Sequence, residues 1–330
     1  MTHPPTGVSI VVICRNEIGY LDGCLTALAL AARDAPLPVE VLVIDGRSGD
    51  GTAELAERWA ARDCHGMTVR VVRCDRAGYG YQRNVGVRAA RYPWVAFVSA
   101  DVRVGPDWLA GLAQATAQPL DLLVGRFDLV TPTGRRPWLA SLSATIYPTC
   151  TDDPAVERCS TVHLAARRSA LLATPFDERL TACEDKALAY RLARRPDWRG
   201  AGTLPGRPRH LARETVGQFL AKTWQEARVF GALRRETGGR FPDCFGWGHS
   251  AVRMAAASAL GGAVGLAVSR RPVAPVIGAA AGLATAARHP VGWTRRRRDR
   301  PVTAQALLHR AAMLTICAGY LTGWLADRSP

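Results

Sequence analysis

The nine cysteines are odd in number and form no C-x-x-C pair. That pattern indicates neither a disulfide framework nor a zinc site, and it suits a reducing compartment. Aromatic residues are scarce at 7%. With no aromatic RNA-binding signature and no zinc-finger spacing, nucleic acid is set aside as a partner. Acidic side chains are outnumbered, 28 Asp and Glu against 43 Lys and Arg, for a net charge of +15 over 330 residues. The excess gathers in the second half, notably at residues 295–298, and suits a phosphorylated substrate or an anionic, cytoplasmic membrane surface. Residues 1–7 have no basic start followed by an apolar core, so no signal peptide is expected. No G-x-G-x-x-G follows the first strand-like run. Cys14-Arg15-Asn16-Glu17 stands there instead and argues against a dinucleotide-binding dehydrogenase.

What is present is an alternation of two periods. Apolar runs rich in Val and Ile at 8–14, 39–45, 69–73 and 94–99 predict strands. Between them, helical spacing predicts helices over 21–32, 52–61, 82–90 and 106–117, the last with Pro106 at its first turn. Alternating strands and helices imply a mostly parallel sheet with helices on both faces. Residues 121–127 form a further strand candidate, the pattern loosens over 131–153 where a pocket is expected, and a helix begins at Glu184. The chain is divided as 1–215, a catalytic domain; 216–245, an amphipathic interface helix and linker; and 246–330, a hydrophobic helical, membrane-associated region. In that last region the uncharged stretches 254–269, 272–287 and 311–326 are each 16 residues long. A simple span needs about 20, so short spans, re-entrant hairpins, interfacial helices or a self-packed subdomain all fit.

Acids fall where chemistry belongs in such a sheet, in the loops beyond the strand ends. Asp45 ends the second strand, and a carboxylate fixed there can accept the N3–H of a uracil. Its plain alternative is a strand-to-helix turn capped by Asp50. Arg83, near a helix start, can hold a diphosphate with paired donors or be a solvated helix charge. Asp101 follows the fourth strand and can ligate a hard divalent ion, with His210 as a nitrogen ligand acceptable to Mn²⁺. Glu184 and Asp185 open a helix, where acids also sit for electrostatic reasons alone. Asp185 can serve as a base.

Taken together, Val8-Ser9-Ile10-Val11-Val12-Ile13 with Asn16-Glu17, Asp45 with Ser48, Asp50, Gly51 and Thr52, Arg83-Asn84-x-Gly86, Ser99-Ala100-Asp101 with Pro106-Asp107-Trp108-Leu109, and Phe176-Asp177-Glu178 with Glu184-Asp185 resemble the family 2 glycosyltransferases of GT-A fold. The Asp45-Gly46 turn, Phe230-Gly231 and the tail 318–323 look most like the membrane-associated succinoglycan-biosynthesis type. The resemblance implies inverting transfer from a nucleoside-diphosphate sugar, helped by Mg²⁺ or Mn²⁺. It places Asp45 on the nucleobase, Asp101 on the metal and Asp185 as the base toward the acceptor; Asn16, Glu17, Arg83, Asn84, Ser99 and Ala100 are expected at the donor with Asp45 and Asp101, His210 on the metal, and Glu184 at the catalytic position with Asp185. The acceptor it implies is lipid-linked or a glycan, at the cytoplasmic face of the cell membrane. Ser99 departs from the family's D-x-D, where an acid stands first. No Q-x-x-R-W motif of processive synthases appears, which favours single additions over polymerisation. Transfer onto a polyprenyl phosphate, or a non-catalytic nucleotide-sugar-binding role in membrane assembly, are the alternatives.

Overall fold

The computed structural model describes residues 7–64, 66–130, 159–211 and 215–242, together with Thr315, Ala318, Tyr320 and Thr322. The first half alternates as the periodicity predicts: β1 (Val8–Cys14), α1 (Ile18–Ala32), β2 (Val39–Asp45), α2 (Thr52–Ala60), β3 (Met67–Arg73), α3 (Tyr79–Ala89), β4 (Trp94–Ser99). Then come β5 (Val102–Arg103), α4 (Trp108–Thr116), β6 (Leu122–Val124), β7 (Asp128–Val130), β8 (Leu164–Arg167), α5 (Arg168–Ala173), α6 (Glu184–Leu192), β9 (Ala201–Thr203), β10 (Arg209–Leu211) and α7 (Val216–Glu236). The chain divides into two compact units, the first Met1–Pro132 with Pro154–Ala212, the second Thr133–Asp153 with Arg213–Pro330.

In the first unit seven strands lie in the order β3-β2-β1-β4-β8-β6-β9. β2 is buried along its whole length, as a strand must be when helices cover both faces, which is why it reads as a continuous apolar run. β1, β2, β3 and β4 are parallel. β8 breaks the pattern, running antiparallel between β4 and β6, and β9 returns parallel to β6. The order reverses direction at β1 and β4, and their registers align the outgoing ends: Cys14 is opposite Asp45, and Ile13 opposite Ser99. That is where a ligand crevice forms in an open α/β sheet. A second, three-stranded sheet, β5-β10-β7, sits beyond the end of β4.

Three differences from the sequence reading have simple causes. α3 starts at Tyr79 rather than 82, because Gly78, with φ 155°, lets the chain turn directly into the helix. The strand expected over 121–127 ends at Val124, since residues 125–127 leave the main sheet to start the small one. β8, β9 and β10, only three or four residues each, are too short to show a period.

The second unit contributes α7, which Thr215 caps by accepting the N–H of Gln218 at 3.2 Å. Phe230 packs edge-on against Phe241 with ring centroids 5.3 Å apart, and Trp224 remains 37% exposed. Among the described residues no helix is long and apolar enough to cross a membrane. The three apolar stretches and the pocket-forming region expected over 131–153 lie outside the described residues, apart from Thr315, Ala318, Tyr320 and Thr322.

Candidate active site

At the ends of β1 and β2 the two loops are laced together. Asn16 adopts a left-handed φ of 56°, its N–H donates to Ser48 Oγ at 2.9 Å, and its Oδ1 accepts from the Gly49 N–H at 2.9 Å. The Glu17 N–H reaches Thr52 Oγ1 at 2.9 Å, and the Ile18 N–H reaches Asp50 Oδ2 at 3.2 Å. Asn16 and Glu17 therefore shape this rim through backbone and side-chain bonds to the 48–52 turn. Asp45 lies beneath it, 3% exposed, with Oδ2 accepting the Ser48 N–H at 3.1 Å and the Cys14 thiol 3.8 Å from Oδ1. Burial first, and then Asp45, push that thiol well up, so it stays protonated and can only donate. An ionised carboxylate has about four lone-pair sites, so Asp45 retains capacity for a nucleobase N–H.

A residue that periodicity alone does not single out spaces these strand ends. Gln82 of α3 donates through Nε2 to the carbonyls of Cys14 at 3.0 Å and Ile44 at 2.9 Å, and Oε1 accepts the Gly78 N–H at 3.2 Å. A Cβ on Gly46 would lie 2.7 Å from the Gln82 amide, so the turn after Asp45 needs glycine for room.

Beyond β4, Asp101 meets His210 across the small sheet, Nε2 to Oδ2 at 3.2 Å. The backbone fixes the meeting, since Val102 pairs with His210 and the Leu211 N–H donates to the Asp101 carbonyl at 2.9 Å. Phe127 packs edge-on against the imidazole at 5.6 Å. His210 Nδ1 is buried with no hydrogen-bond partner. The 3.2 Å contact is that of a hydrogen bond; the carboxylate oxygen and imidazole nitrogen it brings side by side are also donor types that Mg²⁺ or Mn²⁺ would accept. Among the described residues no cluster of three or more ligating side chains forms, so diphosphate oxygens and water would complete the shell. Ser99, at the strand end, is half-buried and Ala100 is 2% exposed. Ser99 brings a hydroxyl where the family pattern has a charge.

The third cluster surrounds the start of α6, entered through Cys183 at a left-handed φ of 56°. Asp185 is half-buried; Oδ1 accepts the Lys186 N–H at 2.8 Å and Oδ2 the Thr161 N–H at 3.3 Å. Glu184, its neighbour, is 5% exposed and paired with the Arg83 guanidinium through Nη1. Arg83 Nη2 donates to Thr161 Oγ1 at 2.6 Å, and the rings of Tyr79 and Phe176 lie 5.6 and 5.7 Å from the guanidinium carbon. Two expectations change accordingly. Arg83 is a buried partner of Glu184 rather than an open diphosphate clamp, and Glu184 is buried with it, whereas Asp185 beside it is half-buried. Burial raises the Glu184 carboxyl, with Arg83 pulling it back and Asp185 adding to the rise. Asn84 also has another task. Its amide accepts the Phe176 N–H and donates to the Phe176 carbonyl, both at 2.9 Å, and donates to Glu178 at 3.0 Å, fastening the loop that leads to α6.

His163 ties the start of α4 to the loop after β6 and has no distinguishing sequence signal. It is fully buried, Nδ1 lies 2.8 Å from the Arg126 carbonyl, and Nε2 accepts from the Trp108 indole at 2.9 Å. A carbonyl can only accept and an indole N–H can only donate, so the ring is neutral with its proton on Nδ1. Burial holds its pKa down to about 4. A Cβ on Gly125 would meet Nδ1 at 2.1 Å, so glycine is required there too.

The sequence profile of Glycosyl transferase family 2 matches residues 9–178. The succinoglycan biosynthesis protein ExoO of Rhizobium meliloti is 34% identical over 130 residues, 39% of this chain and 35% of ExoO. The chain spans about a third of ExoO's length, and a similar share of two Bacillus subtilis glycosyltransferases. Among solved structures, the mannosyltransferase PcManGT from Pyrobaculum calidifontis, in complex with GDP-Man and Mn²⁺, is similar at a TM-score of 0.57 and 18% identity, covering 99% of this chain and 89% of that one. TarS 1-349 of S. aureus, in complex with UDP-GlcNAc, gives 0.50 and 20%, covering 67% and 66%. At these identities the likeness establishes the fold, a GT-A α/β architecture.

Proposed function

Because this chain belongs to glycosyl transferase family 2 and is a glycosyltransferase of succinoglycan-biosynthesis resemblance, we propose that it transfers one sugar, with inversion, from a nucleoside-diphosphate sugar, a UDP-sugar by preference, to a hydroxyl of a lipid-linked or glycan acceptor. The observation that carries the reading is the Asp101–His210 pair, which holds an oxygen and a nitrogen donor side by side just past the switch-point strand. A divalent ion there, bound with the diphosphate, would neutralise charge on the leaving group. Asp45 receives the nucleobase. Asp185 takes the acceptor proton as the hydroxyl oxygen bonds to the anomeric carbon and the bond from that carbon to the diphosphate oxygen breaks.

Membrane association belongs to the same reading. The apolar stretches after residue 246 are bordered by Arg270, Arg271, Arg288 and the run 295–298, and basic residues contribute about 1 kcal/mol each near an anionic leaflet. Basic flanks also favour the cytoplasmic side.

The test is a panel of UDP- and GDP-sugars scored by protection against thermal unfolding and by donor turnover, with Mn²⁺, with Mg²⁺ and after exhaustive chelation. Turnover that requires a divalent ion, is reduced strongly by Asp101→Ala and less by His210→Ala, supports the reading; undiminished turnover after chelation refutes the metal-assisted mechanism. Transfer onto a polyprenyl phosphate needs no base, because a phosphate is already anionic. Its signature would be lipid-phosphate glycosylation that survives Asp185→Asn.

A further inference from the structure

We propose that Thr161 is a positioning residue, one that couples the buried Arg83–Glu184 pair to Asp185; the proposal rests on Asp185 being the base. Thr161 is 5% exposed and sits where the chain returns to the sheet ahead of β8, far in sequence from both partners. Its two polar groups face different ways. The side-chain oxygen accepts from Arg83 Nη2 at 2.6 Å, while the backbone N–H donates to Asp185 Oδ2 at 3.3 Å. Arg83 in turn holds Glu184, the residue directly before Asp185, so the guanidinium fixes Asp185 from two sides: through the backbone of α6 and through Thr161.

The neighbourhood is built to keep this linkage rigid. Arg83 is 5% exposed between the Tyr79 and Phe176 rings, and Phe176 is itself fixed by the paired amide of Asn84. Next to Asp185, the Cys159 thiol donates to the Asp185 carbonyl at 3.2 Å and the Lys186 ammonium donates to the Cys159 carbonyl at 3.3 Å. The segment 159–161 is thus bound to the first turn of α6 by its side chains and its backbone together. A buried, charge-assisted hydrogen bond supplies the directional force a neutral bond lacks, and a planar guanidinium fixes two acceptors at a set angle. The two side-chain acceptors of the Arg83 guanidinium are both protein groups, Glu184 and Thr161. Arg83 acts on the sugar-transfer step and not on donor affinity.

Thr161→Val removes the acceptor at nearly constant shape, and Thr161→Ser keeps it. A displacement on the order of 1 Å at a reacting group costs up to about 100-fold in rate, so Thr161→Val should lower kcat by about 10- to 100-fold. The probe is the UDP- or GDP-sugar that turns over in the wild type, with water as acceptor and Mn²⁺ present. Donor Kd, read by calorimetry, should stay within about twofold, and Thr161→Ser should recover most of kcat. Should Thr161→Val not fold, Glu184→Gln, which removes the charge from the pair at the same shape, is measured in the same way with the same expectation. Wild-type kcat in the folded valine variant overturns the coupling, and so does a weakened donor Kd, which would return Arg83 and Thr161 to the diphosphate. Asp185→Asn runs alongside: if it turns over normally, the base assignment has failed on its own account, whereas a dead Asp185→Asn beside a fully active Thr161→Val rejects the coupling alone.

Discussion

At the residue scale, the division of labour follows from burial. Of the two adjacent acids at the start of α6, Glu184 is spent on Arg83, and Asp185 keeps an exposed edge. Asp185→Asn keeps size and loses basicity, so turnover should fall about 10²- to 10⁴-fold while donor Kd holds; a steady-state assay beside calorimetry decides it, and near-normal turnover defeats the role. Asp45→Ala should weaken a uridine nucleotide by about 1–3 kcal/mol, the penalty of an unpaired buried donor. The same change should cost an N3-methylated analogue much less. Equal losses would make Asp45 a turn residue only. The positions of Asp45, Asp101 and Asp185, at two strand ends and a helix start, were legible in the sequence, because strand ends and helix starts can be read from period. The inward tasks of Arg83 and Asn84 were not, since their partners, Thr161, Glu184 and Phe176, lie about 80 to 100 residues away and nothing local marks the pairing.

At the scale of elements, the parallel half was readable and the antiparallel half was not. β1 to β4 are six or seven residues long; β1, β2 and β4 are mostly buried on both faces, which writes near-continuous apolar runs, while β3, at the sheet edge, alternates with Thr68, Arg70 and Arg73. β8 has four residues and follows a segment without period. The join between β6 and β8 depends on neutral His163, whose pKa falls from an ordinary 6.5 to about 4. A depressed histidine stabilises the fold fully above pH 6.5, and the contribution is lost as pH drops toward 4, because only the unfolded chain takes up the proton in that window. The loss is on the order of 3 kcal/mol. In His163→Gln, urea midpoints should vary less between pH 7 and pH 4.5 than in the wild type. A parallel pH dependence in both proteins would show that His163 is not the responsible group.

For the molecule as a whole, charge and apolar content are distributed unequally along the chain, with the arginine run 295–298 and the uncharged 16-residue stretches all after residue 246. The intact protein should sediment with vesicles containing phosphatidylserine and stay bound through a high-salt wash, since apolar insertion, unlike surface charge, is not screened. Release by salt would reduce the attachment to electrostatics. Full solubility and monodispersity without detergent would remove the membrane from the reading.

The place of β8 between β4 and β6 also sets a schedule. A ribosome delivers β6 some forty residues before the strand that must lie between it and the rest of the sheet. Until residues 164–167 emerge, β6 has no edge to join, while β1, β2, β3 and β4 already have theirs. The order comes from emergence and not from loop length, since Val8 and Trp94 lie further apart in sequence than Leu122 and Ala166. Hydrogen exchange on nascent chains stalled before and after residues 164–167 emerge should therefore find amides of β1 and β4 protected in both, and those of β6 and β9 only in the longer chain. On that schedule the half carrying Asp45 and Asp101 takes shape first, and the segment carrying Thr161 and Asp185 closes onto it afterwards. Protection of β1 and β4 only in the longer chain would mean the sheet forms in one step.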